Sequence, residues 1–553
     1  MPNCKQCNQG FEISNEENAL REKLTGDFET GLVPQPTQCL VCRMRRKMAW
    51  RNEMTLYKRD CDKTGKSIIS IYPSNTDFPV YSKNEWWGND WDAMSYGREF
   101  DFSRPFFEQF VELFNKVPKL PLISVNTENS DYCNFIWDSR NSYLSYCIYK
   151  SESLIHCYWL YHSRDCIDCS YCFRSERCYE CTDCNDSQNS KFCILSHNCS
   201  DSLFLYDCRG CSNCFGCVGL RNKKYYMFNQ KLPKDEYEKR LKGFDLQKQE
   251  HIDAVKTKLN ALRLKLPHRY SIQDKTENCT GDYIFESKDC HNCYQLYNGR
   301  DCINVEDSDC EDCQDSYHIG WASFIYDSYS VCNNKSSAFS IQCDGGSDLF
   351  YSYCCYNLSH GFGCDGIRQN EYCILNKKYS KEQYQELLPK IVEHMRGTGE
   401  WGEFFPAHLS PFAYNESVIP SFYPLEKDEV LRRKWRWKDD LPFTKGKESI
   451  SHTELSENIS DIPLSVTNEI FACDECGKNY KIIDQELRYY KNENLPLPKN
   501  CPHCRNANRL KFRNPRRLFS RKCDKCGESI RSSYSLERPE IVYCESCYLK
   551  EVY

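Results

Sequence analysis

Paired cysteines in the pattern Cys-x-x-Cys recur near both ends of this 553-residue chain, and the two ends are copies of one another. Residues 34–81 align without a gap on residues 496–543, at a constant offset of 462. In this alignment Cys61-Asp-Lys falls on Cys523-Asp-Lys. A register kept over such a length does not arise by chance. The chain therefore contains the same cysteine module twice.

Two Cys-x-x-Cys pairs separated by a few tens of residues are typical of a structural zinc ribbon, in which four thiolates surround one ion. Three such sets predict about three zinc ions per chain. The first copy lacks one site of the second, because Thr64, Ser82 and Glu85 stand at the aligned positions and only Cys61 remains. The predicted ligand sets are Cys4, Cys7, Cys39 and Cys42; Cys473, Cys476, Cys501 and Cys504; and Cys523, Cys526, Cys544 and Cys547.

The middle of the chain is rich in cysteine at a different spacing. From Cys157 to Cys217 all thirteen cysteines are separated by multiples of three residues. This regularity favours a β-solenoid, although it determines neither rung length nor handedness. The twenty-seven cysteines from Cys133 to Cys373 are interpreted mainly as small buried side chains that fill a narrow core. Metal or cluster binding, and disulfide or redox chemistry, are the alternatives.

A second duplication lies within this middle region. Residues 200–241 align on residues 347–388 at an offset of 147, and each copy continues into a charged helical pattern. In the second copy many cysteines are replaced by Ser, Asn or Gly. The predicted fold is multidomain and mainly β, with two terminal zinc ribbons flanking a duplicated cysteine-rich β-solenoid with helical inserts.

Composition shifts along the chain divide it into eight predicted segments. They are an N-terminal zinc ribbon with a basic helix (1–85), an aromatic-rich packing segment (86–130), a first solenoid tract (131–222), a helical insert (223–276), a second solenoid tract (277–376), a helix with a Pro- and aromatic-rich segment (377–438), a polar linker (439–469) and a C-terminal double zinc ribbon (470–553).

The second ribbon resembles the family described as probable zinc-ribbon domains of bacteria. The resemblance rests on Cys473-Asp-Glu-Cys-Gly-Lys, on residues 486–490 and on residues 495–505. With Gly-Arg-Glu-Phe-Asp-Phe at 97–102 and Gly-Glu-Phe-Phe-Pro at 402–406, the whole layout resembles a family of long cysteine-rich proteins from candidate-phyla bacteria. These resemblances imply zinc ribbons at both termini and no particular activity.

Basic residues recur every four positions after the second cysteine pair of each ribbon. On a helix this spacing places three cations on one face. A rigid ribbon that presents such a face predicts salt-dependent binding of RNA or DNA, which makes RNA or a ribonucleoprotein the favoured partner. The predicted phosphate contacts are Arg43, Lys47, Arg51, Arg505, Arg509 and Arg513.

Other roles for this stripe stay open. The cations could form a solvated face, or they could dock onto the acidic middle of the same chain or onto another protein. A protein-assembly scaffold, with a protein partner or self-association, is therefore an alternative function, and a thiolate metal store is another. The net charge of −6 argues against a uniformly basic nucleic-acid coat.

Catalysis and location are constrained mainly by what the sequence lacks. It contains no Gly-rich phosphate loop, no His-Glu-x-x-His and no Gly-x-Ser-x-Gly, so we favour a non-catalytic role while catalysis stays undecided. We expect no signal peptide and no membrane partner, because no apolar run approaches membrane length. Forty cysteines in so long a chain favour a reduced, cytoplasmic protein over an extracellular disulfide framework.

Overall fold

The computed structural model of the protein describes residues 1–27, 34–311, 317–320, 323–326, 329–332 and 335–552. These residues form two compact units, each built from two separate stretches of chain. The first unit comprises Met1–Pro121 and Ser271–Leu441, and the second comprises Leu122–Tyr270 and Pro442–Tyr553. The N-terminal ribbon thus shares a unit with the second cysteine-rich tract. The C-terminal ribbon shares one with the first tract.

The cysteine-rich tracts form a β-solenoid, as the sequence predicts. In the first tract parallel strands pair residue i with residue i+12, as in Tyr146↔Tyr158 and Tyr158↔Ser170. The pairing begins at Ser124, and single bridges continue it as far as Met227. One turn therefore contains twelve residues. In the second tract the register is also twelve residues. Turns of eleven residues occur at Gln273↔Ile284 and Glu306↔Tyr317.

The three-residue spacing of the cysteines follows from the corners of this solenoid. Every third residue of the first tract has a positive φ, including His156, Asp165 and Asp168 at 53–55°. Four segments of three residues therefore make one turn. Between residues 142 and 217 the residue after each left-handed corner, such as Cys157 or Cys166, is buried in the core.

Small side chains fill the narrow interior of the first tract. Its core consists of cysteine, isoleucine and leucine, with buried serines at further positions of the same spacing. The Cys157 thiol donates to the carbonyls of Ile155 and Cys166, at 3.5 and 3.3 Å. The Ser163 hydroxyl donates at 3.0 and 3.2 Å to the carbonyls two residues before it and nine after it. Cysteine and serine thus fill equivalent positions, which supports the packing interpretation.

An asparagine closes the last turn of each tract. The Asn229 side chain donates to the Val218 carbonyl and accepts from the Val218 amide, both at 2.8 Å. Asn376 makes the same two contacts with the backbone of Asp365, also at 2.8 Å. The charged helices after the caps begin at Lys234 and Lys381, again 147 residues apart. The second duplication is therefore a structural one.

The ribbon duplication is equally visible in the secondary structure. A helix and two strands of the N-terminal ribbon recur in the C-terminal ribbon, each shifted by 462 residues. We call Leu40–Met48 the first ribbon helix and Pro502–Leu510 the second ribbon helix. The first packs against strand Tyr317–Gly320 of its unit, and the second against Ser170–Phe173 of its own. These strands lie 147 residues apart, so both ribbons meet the corresponding side of a solenoid.

The first unit contains these helices: Asn15–Asp27, Leu40–Met48, Lys83–Trp87, Phe106–Phe114, Lys381–Thr398, Ile419–Phe422 and Lys427–Arg432. Its strands are Tyr57–Asp60, Ser67–Ser70, Gln273–Asp274, Gly281–Phe285, Cys293–Arg300, Glu306–Glu311, Tyr317–Gly320, Ser323–Tyr326, Tyr329–Cys332, Lys335–Ala338, Ile341–Asp344, Ser347–Phe350, Tyr356–Phe362, Arg368–Ile374 and Lys377–Lys378.

The second unit contains these helices: Lys234–Leu241, Gln249–Arg263, Asp484–Glu493, Pro502–Leu510 and Glu545–Val552. Its strands are Ser124–Glu128, Asn134–Arg140, Tyr146–Tyr149, Glu152–Ile155, Tyr158–Tyr161, Arg164–Ile167, Ser170–Phe173, Tyr226–Met227, Gln230–Lys231, His268–Arg269, Phe471–Ala472, Asn479–Tyr480, Phe519–Lys522, Ser529–Ser532 and Val542–Tyr543. None of the helices that the structure describes combines the length and apolarity needed to cross a membrane.

Candidate metal centres and ribbon contacts

Each of the three predicted ligand sets comes together as a tetrad, with all four Sγ atoms within 4.8 Å of one another. The Sγ atoms of Cys7 and Cys39 lie 3.8 Å apart, and those of Cys526 and Cys544 lie 3.7 Å apart. Zinc bound tetrahedrally at about 2.3 Å from each sulfur requires sulfur–sulfur distances of about 3.8 Å. The three tetrads can therefore hold metal ions, and their all-thiolate donor sets fit zinc.

The first cysteine pair of each tetrad lies in a tight turn. The Gly477 amide donates to the Cys473 carbonyl over 2.8 Å, and the Cys473 amide donates to the Lys478 carbonyl over 2.9 Å. Gly477 has a φ of 69°, a left-handed conformation that glycine adopts at no steric cost. The same turn follows Cys523, where Gly527 has a φ of 75°. This turn directs both sulfurs of a pair toward one point.

The second cysteine pair of the two aligned tetrads lies at the start of a ribbon helix. Cys39 and Cys501 immediately precede the first and second ribbon helices, with identical backbone angles of −64° and 158°. The partial positive charge of a helix N-terminus favours a thiolate there. An ion held by the tetrad would therefore also fix the start of the helix that contacts the solenoid.

The thiols of one tetrad differ in acidity. Burial raises the pKa of Cys547 to about 12, and hydrogen bonding to the neighbouring thiols adds to this effect. Burial acts in the same direction on Cys523, but hydrogen bonds with the backbone of Cys544 and Cys526 outweigh it and lower the pKa to about 6. A divalent cation would offset the repulsion among four thiolates. Metal binding would then release protons.

The site that the sequence predicts to be lost keeps its backbone in the N-terminal ribbon. The Gly65 amide donates to the Cys61 carbonyl over 2.8 Å, and the Ser82 amide donates to Cys61 Sγ over 3.2 Å. In the C-terminal ribbon the Cys544 amide makes the latter contact with its own cysteine sulfur, also at 3.2 Å. Lys63 Nζ lies 2.9 Å from a carboxylate oxygen of Glu85. An ion pair therefore occupies the region where the intact copy has its fourth thiolate.

Two arginines of the second ribbon helix bind one carboxylate of the first solenoid tract. Arg509 donates to Oδ1 of Asp168 over 2.8 Å, and Arg505 donates to Oδ2 over 2.5 Å. Asp168 is fully buried at a left-handed corner. Arg509 also donates to the Ser170 hydroxyl at 3.0 Å and to the His156 carbonyl at 3.2 Å. Charge-assisted hydrogen bonds thus attach the helix to the side of the solenoid.

A second buried carboxylate, on helix Asp484–Glu493, completes this contact. Glu486 accepts from Arg505 at 3.2 Å and from the Tyr490 hydroxyl at 2.8 Å, and its other oxygen lies 3.2 Å from Nε2 of His156. Burial by itself would raise the pKa of Glu486, but interactions with His156 and Arg505 outweigh it and lower the pKa to about 2. The carboxylate is therefore charged throughout the physiological pH range.

Arg513, the last of the three regularly spaced cations in the C-terminal ribbon, contacts a neighbouring row of corner residues in the solenoid. Arg513 Nε donates to Oδ2 of Asp183 over 3.0 Å. Its guanidinium carbon lies 3.5 Å from the centroid of the Tyr171 ring, in a cation–π contact. Arg516 donates to the hydroxyl of the same tyrosine at 3.3 Å.

The first unit repeats part of this arrangement. Arg43 of the first ribbon helix lies 2.9 Å from Glu17, and both side chains are buried. Glu17 is the third residue of helix Asn15–Asp27, as Glu486 is of its own helix. Arg51 pairs with Glu53 at 2.5 Å, and Lys47 is fully buried.

The six predicted phosphate contacts are therefore not presented to solvent, which corrects the expectation of a solvent-facing stripe. Five of them are buried, and Arg513 exposes 9% of its side chain. Each of the five arginines lies against a carboxylate of its own unit. A buried cation needs such a partner to offset its lost hydration. For Arg505, Arg509 and Arg513 the arrangement is that of the docking alternative, in which the cations bind the acidic middle of the same chain. Arg43 and Arg51 instead pair with Glu17 and Glu53 of the N-terminal ribbon.

The acidic partners of these arginines were missed by sequence reasoning. Asp168 and Asp183 each stand directly before a core cysteine, which is the sequence signature of a left-handed corner. Asp165 and Asp207 have the same signature and do not contact the ribbon helix cations described above. The spacing therefore marks corner carboxylates without selecting those that face a ribbon.

Comparison with protein-family models, with curated proteins and with solved structures finds no significant match for this chain.

Proposed function

We propose that the protein is a non-catalytic, zinc-dependent scaffold, in which metal-held ribbon helices brace the β-solenoids of their own units. The tetrads would hold about three zinc ions, each fixing a turn or a helix start. The solenoids would supply long, regular surfaces for assembly with other macromolecules. A relation to the probable zinc-ribbon domains forms part of this proposal.

The observation that carries the proposal is the burial of Asp168 between Arg505 and Arg509. Both arginines follow Cys504 within the same helix, and this helix begins at a cysteine tetrad that could hold a metal ion. The free energy of metal binding can thereby hold the arginines in the geometry that the solenoid carboxylate requires. A ribbon built to carry phosphate contacts would instead leave its guanidinium groups accessible.

Nucleic-acid binding through the ribbon helices is the weaker candidate. A phosphate bound by both Arg505 and Arg509 would displace the Asp168 carboxylate, which would then lie buried without its ion-pair partners. RNA or DNA could still bind at other cations. An elevated absorbance at 260 nm that high salt removes from the purified protein would favour that role.

A reducing compartment such as the cytoplasm suits this function. The tetrad cysteines are thiols rather than disulfides, and thiolates are the form that coordinates metal. Oxidation of a tetrad would compete directly with metal binding. The proposal therefore places the protein where thiols stay reduced.

Zinc content and hydrogen exchange on the anaerobically purified full chain test the proposal. We expect about three zinc ions per chain. Chelation should remove exchange protection from the second ribbon helix and also from the solenoid turns around Asp168, because the metal fixes the contact between them. Protection that is unchanged in both regions after complete zinc removal would contradict a bracing role for the metal.

A further inference from the structure

The β-hairpin of the ribbon is present in both copies with the same backbone register. We call Tyr57–Asp60 and Ser67–Ser70 the first ribbon hairpin, and Phe519–Lys522 and Ser529–Ser532 the second. Each is an antiparallel pair of strands, and every opposed residue pair of the first recurs in the second, shifted by 462 positions. Any difference between the hairpins therefore lies in their side chains.

The solvent-facing side of the second ribbon hairpin is positively charged. Side chains alternate between the two faces of a strand, and residues directly opposite one another share a face. Arg531 lies opposite Ser520, Lys522 lies opposite Ser529, and all four residues are exposed. The residues between them in both strands are less exposed. This outer side, which we call the basic face, therefore consists of two serines and two cations.

Neither cation of the basic face has an acidic partner. Among the residues that the structure describes, no carboxylate lies within ion-pair distance of Lys522 or Arg531. Arg521, which points to the other side of the same strand, pairs with Asp524 at 2.9 Å. The two charges of the basic face are therefore available to an anion outside the chain.

A third cation lies at the start of the same strand. Arg517 stacks on Phe519, with its guanidinium carbon 4.4 Å from the ring centroid. It is exposed, and the described part of the chain places no carboxylate within ion-pair distance of it. Phe519 directly precedes Ser520 of the basic face. The cation–π contact thus holds one more positive charge near this face.

The first ribbon hairpin does not have this charge. The residues that align with the three cations are neutral or acidic, namely Thr55, Asp60 and Ile69. On the outer side of the first hairpin the charges of Lys58 and Asp60 cancel. The basic face is therefore not a consequence of the ribbon fold, and it is particular to the C-terminal copy.

We propose that the basic face binds the phosphate backbone of a nucleic acid. Arginine, lysine and serine side chains are among those that contact phosphate oxygens in such complexes. No acidic side chain of the face opposes an anion. The face also has no apolar side chain, whereas the buried core of a protein–protein interface is mainly apolar. This surface is separate from the two arginines that Asp168 binds, so their burial does not obstruct it.

A fluorescein-labelled single-stranded RNA of about 20 nucleotides, longer than one such site requires, is a direct probe. Titrated into the full zinc-loaded chain, it should bind saturably, with an affinity that falls as salt rises. Lys522→Gln/Arg531→Gln should weaken binding in about 0.1 M salt by roughly tenfold or more and reduce the salt slope by about 1.4, because two phosphate contacts are lost. Fluorescence anisotropy measures both.

Lys231→Gln/Lys239→Gln is the matched control, because both lysines are exposed in the same unit and the charge removed is equal. The control should bind as the parent does. Single-stranded DNA and duplex DNA of the same length, titrated in the same way, show which nucleic acid the face prefers.

Two outcomes would overturn the proposal. The first is RNA and DNA binding that is absent, or equal in the parent and in Lys522→Gln/Arg531→Gln, when circular dichroism and zinc content show both chains to be folded. The second is polyglutamate that binds as tightly as the nucleic acid and depends on the same two cations, which would give the face to an acidic protein. Either result leaves the bracing role of zinc to be judged separately, because the substitutions remove no ligand of a tetrad and no partner of Asp168.

Discussion

Arg509 lies 2.8 Å from Oδ1 of Asp168, although the two residues are 341 positions apart in the chain. The aspartate stands at a solenoid corner and the arginine on a helix that begins at a cysteine tetrad. The cysteine tetrad, the helix and the solenoid are therefore joined through one buried ion pair in the second unit. The pair also explains why a cationic stripe that is regular in sequence is not a solvent-facing surface.

Replacing Asp168 should loosen the second ribbon helix. In Asp168→Asn the buried Arg509 guanidinium loses its charged partner and Arg505 keeps only Glu486, at an expected cost of about 3–5 kcal/mol in the stability of this contact. Hydrogen exchange across Pro502–Leu510 measures the effect locally, without assuming that the whole chain unfolds in one step. Asp165→Asn is the matched control, because Asp165 is an exposed corner aspartate in the same tract. Equal protection in both variants would rule out a stabilising role for the pair.

Zinc content should depend on the three tetrads and not on the degraded fourth site at Cys61. Cys504→Ser should lower zinc by about one ion per chain, because three thiolates bind zinc far more weakly than four. Cys61→Ser should leave zinc content unchanged, since Thr64, Ser82 and Glu85 replace the other thiolates there. Elemental analysis by mass spectrometry gives both numbers. Zinc lost on substitution of Cys61 would show that this site still binds metal.

The core cysteines of the solenoid should tolerate serine. Cys181 is fully buried and donates to the Ser190 carbonyl at 3.4 Å, a contact that a hydroxyl can also make. Cys181→Ser should therefore cost only about 1 kcal/mol, whereas Cys181→Phe should prevent the turn from closing because the interior is too narrow. Thermal unfolding followed by circular dichroism separates the two. A fall in metal content in Cys181→Ser would instead favour the metal-store function.

As the pH rises from about 4 to about 6, the first unit should lose stability because one buried aspartate loses its proton. Asp365 lies 2.7 Å from Lys119, both side chains are buried, and burial raises the pKa of Asp365 to about 6. Its unfolded pKa is near 3.9, so the folded state holds the proton more tightly. This contribution is present below about pH 4 and is lost as pH rises through about 6.

Asp365→Asn should remove that pH dependence, because an amide does not titrate. The difference in unfolding free energy between parent and variant should change by on the order of 2–3 kcal/mol across this range. Denaturant unfolding at fixed zinc and several pH values measures it, and subtraction cancels the acid sensitivity of the zinc sites. A difference that stays constant with pH would contradict the raised pKa.

The sequence by itself determined the local geometry of this protein. Cys-x-x-Cys spacing specifies a turn that points two sulfurs at one ion, so the tetrads could be predicted residue by residue. Cysteines at multiples of three indicate a corner every third residue, and both duplications reappear at their predicted offsets. These features depend on contacts within a few residues or on a repeating register, and both produce a periodic pattern in the sequence.

Only the tertiary structure decided which ribbon shares a unit with which solenoid tract, and what the arginines contact. Arg505 and Arg509 pair with Asp168, a residue more than three hundred positions away. Trp50 is buried against Phe114, Tyr353 and Phe405, whereas Phe512 at the aligned position exposes 47% of its surface. Burial is a property of what packs against a residue. A helical pattern of cations or aromatics specifies a face, and the fold specifies its partner.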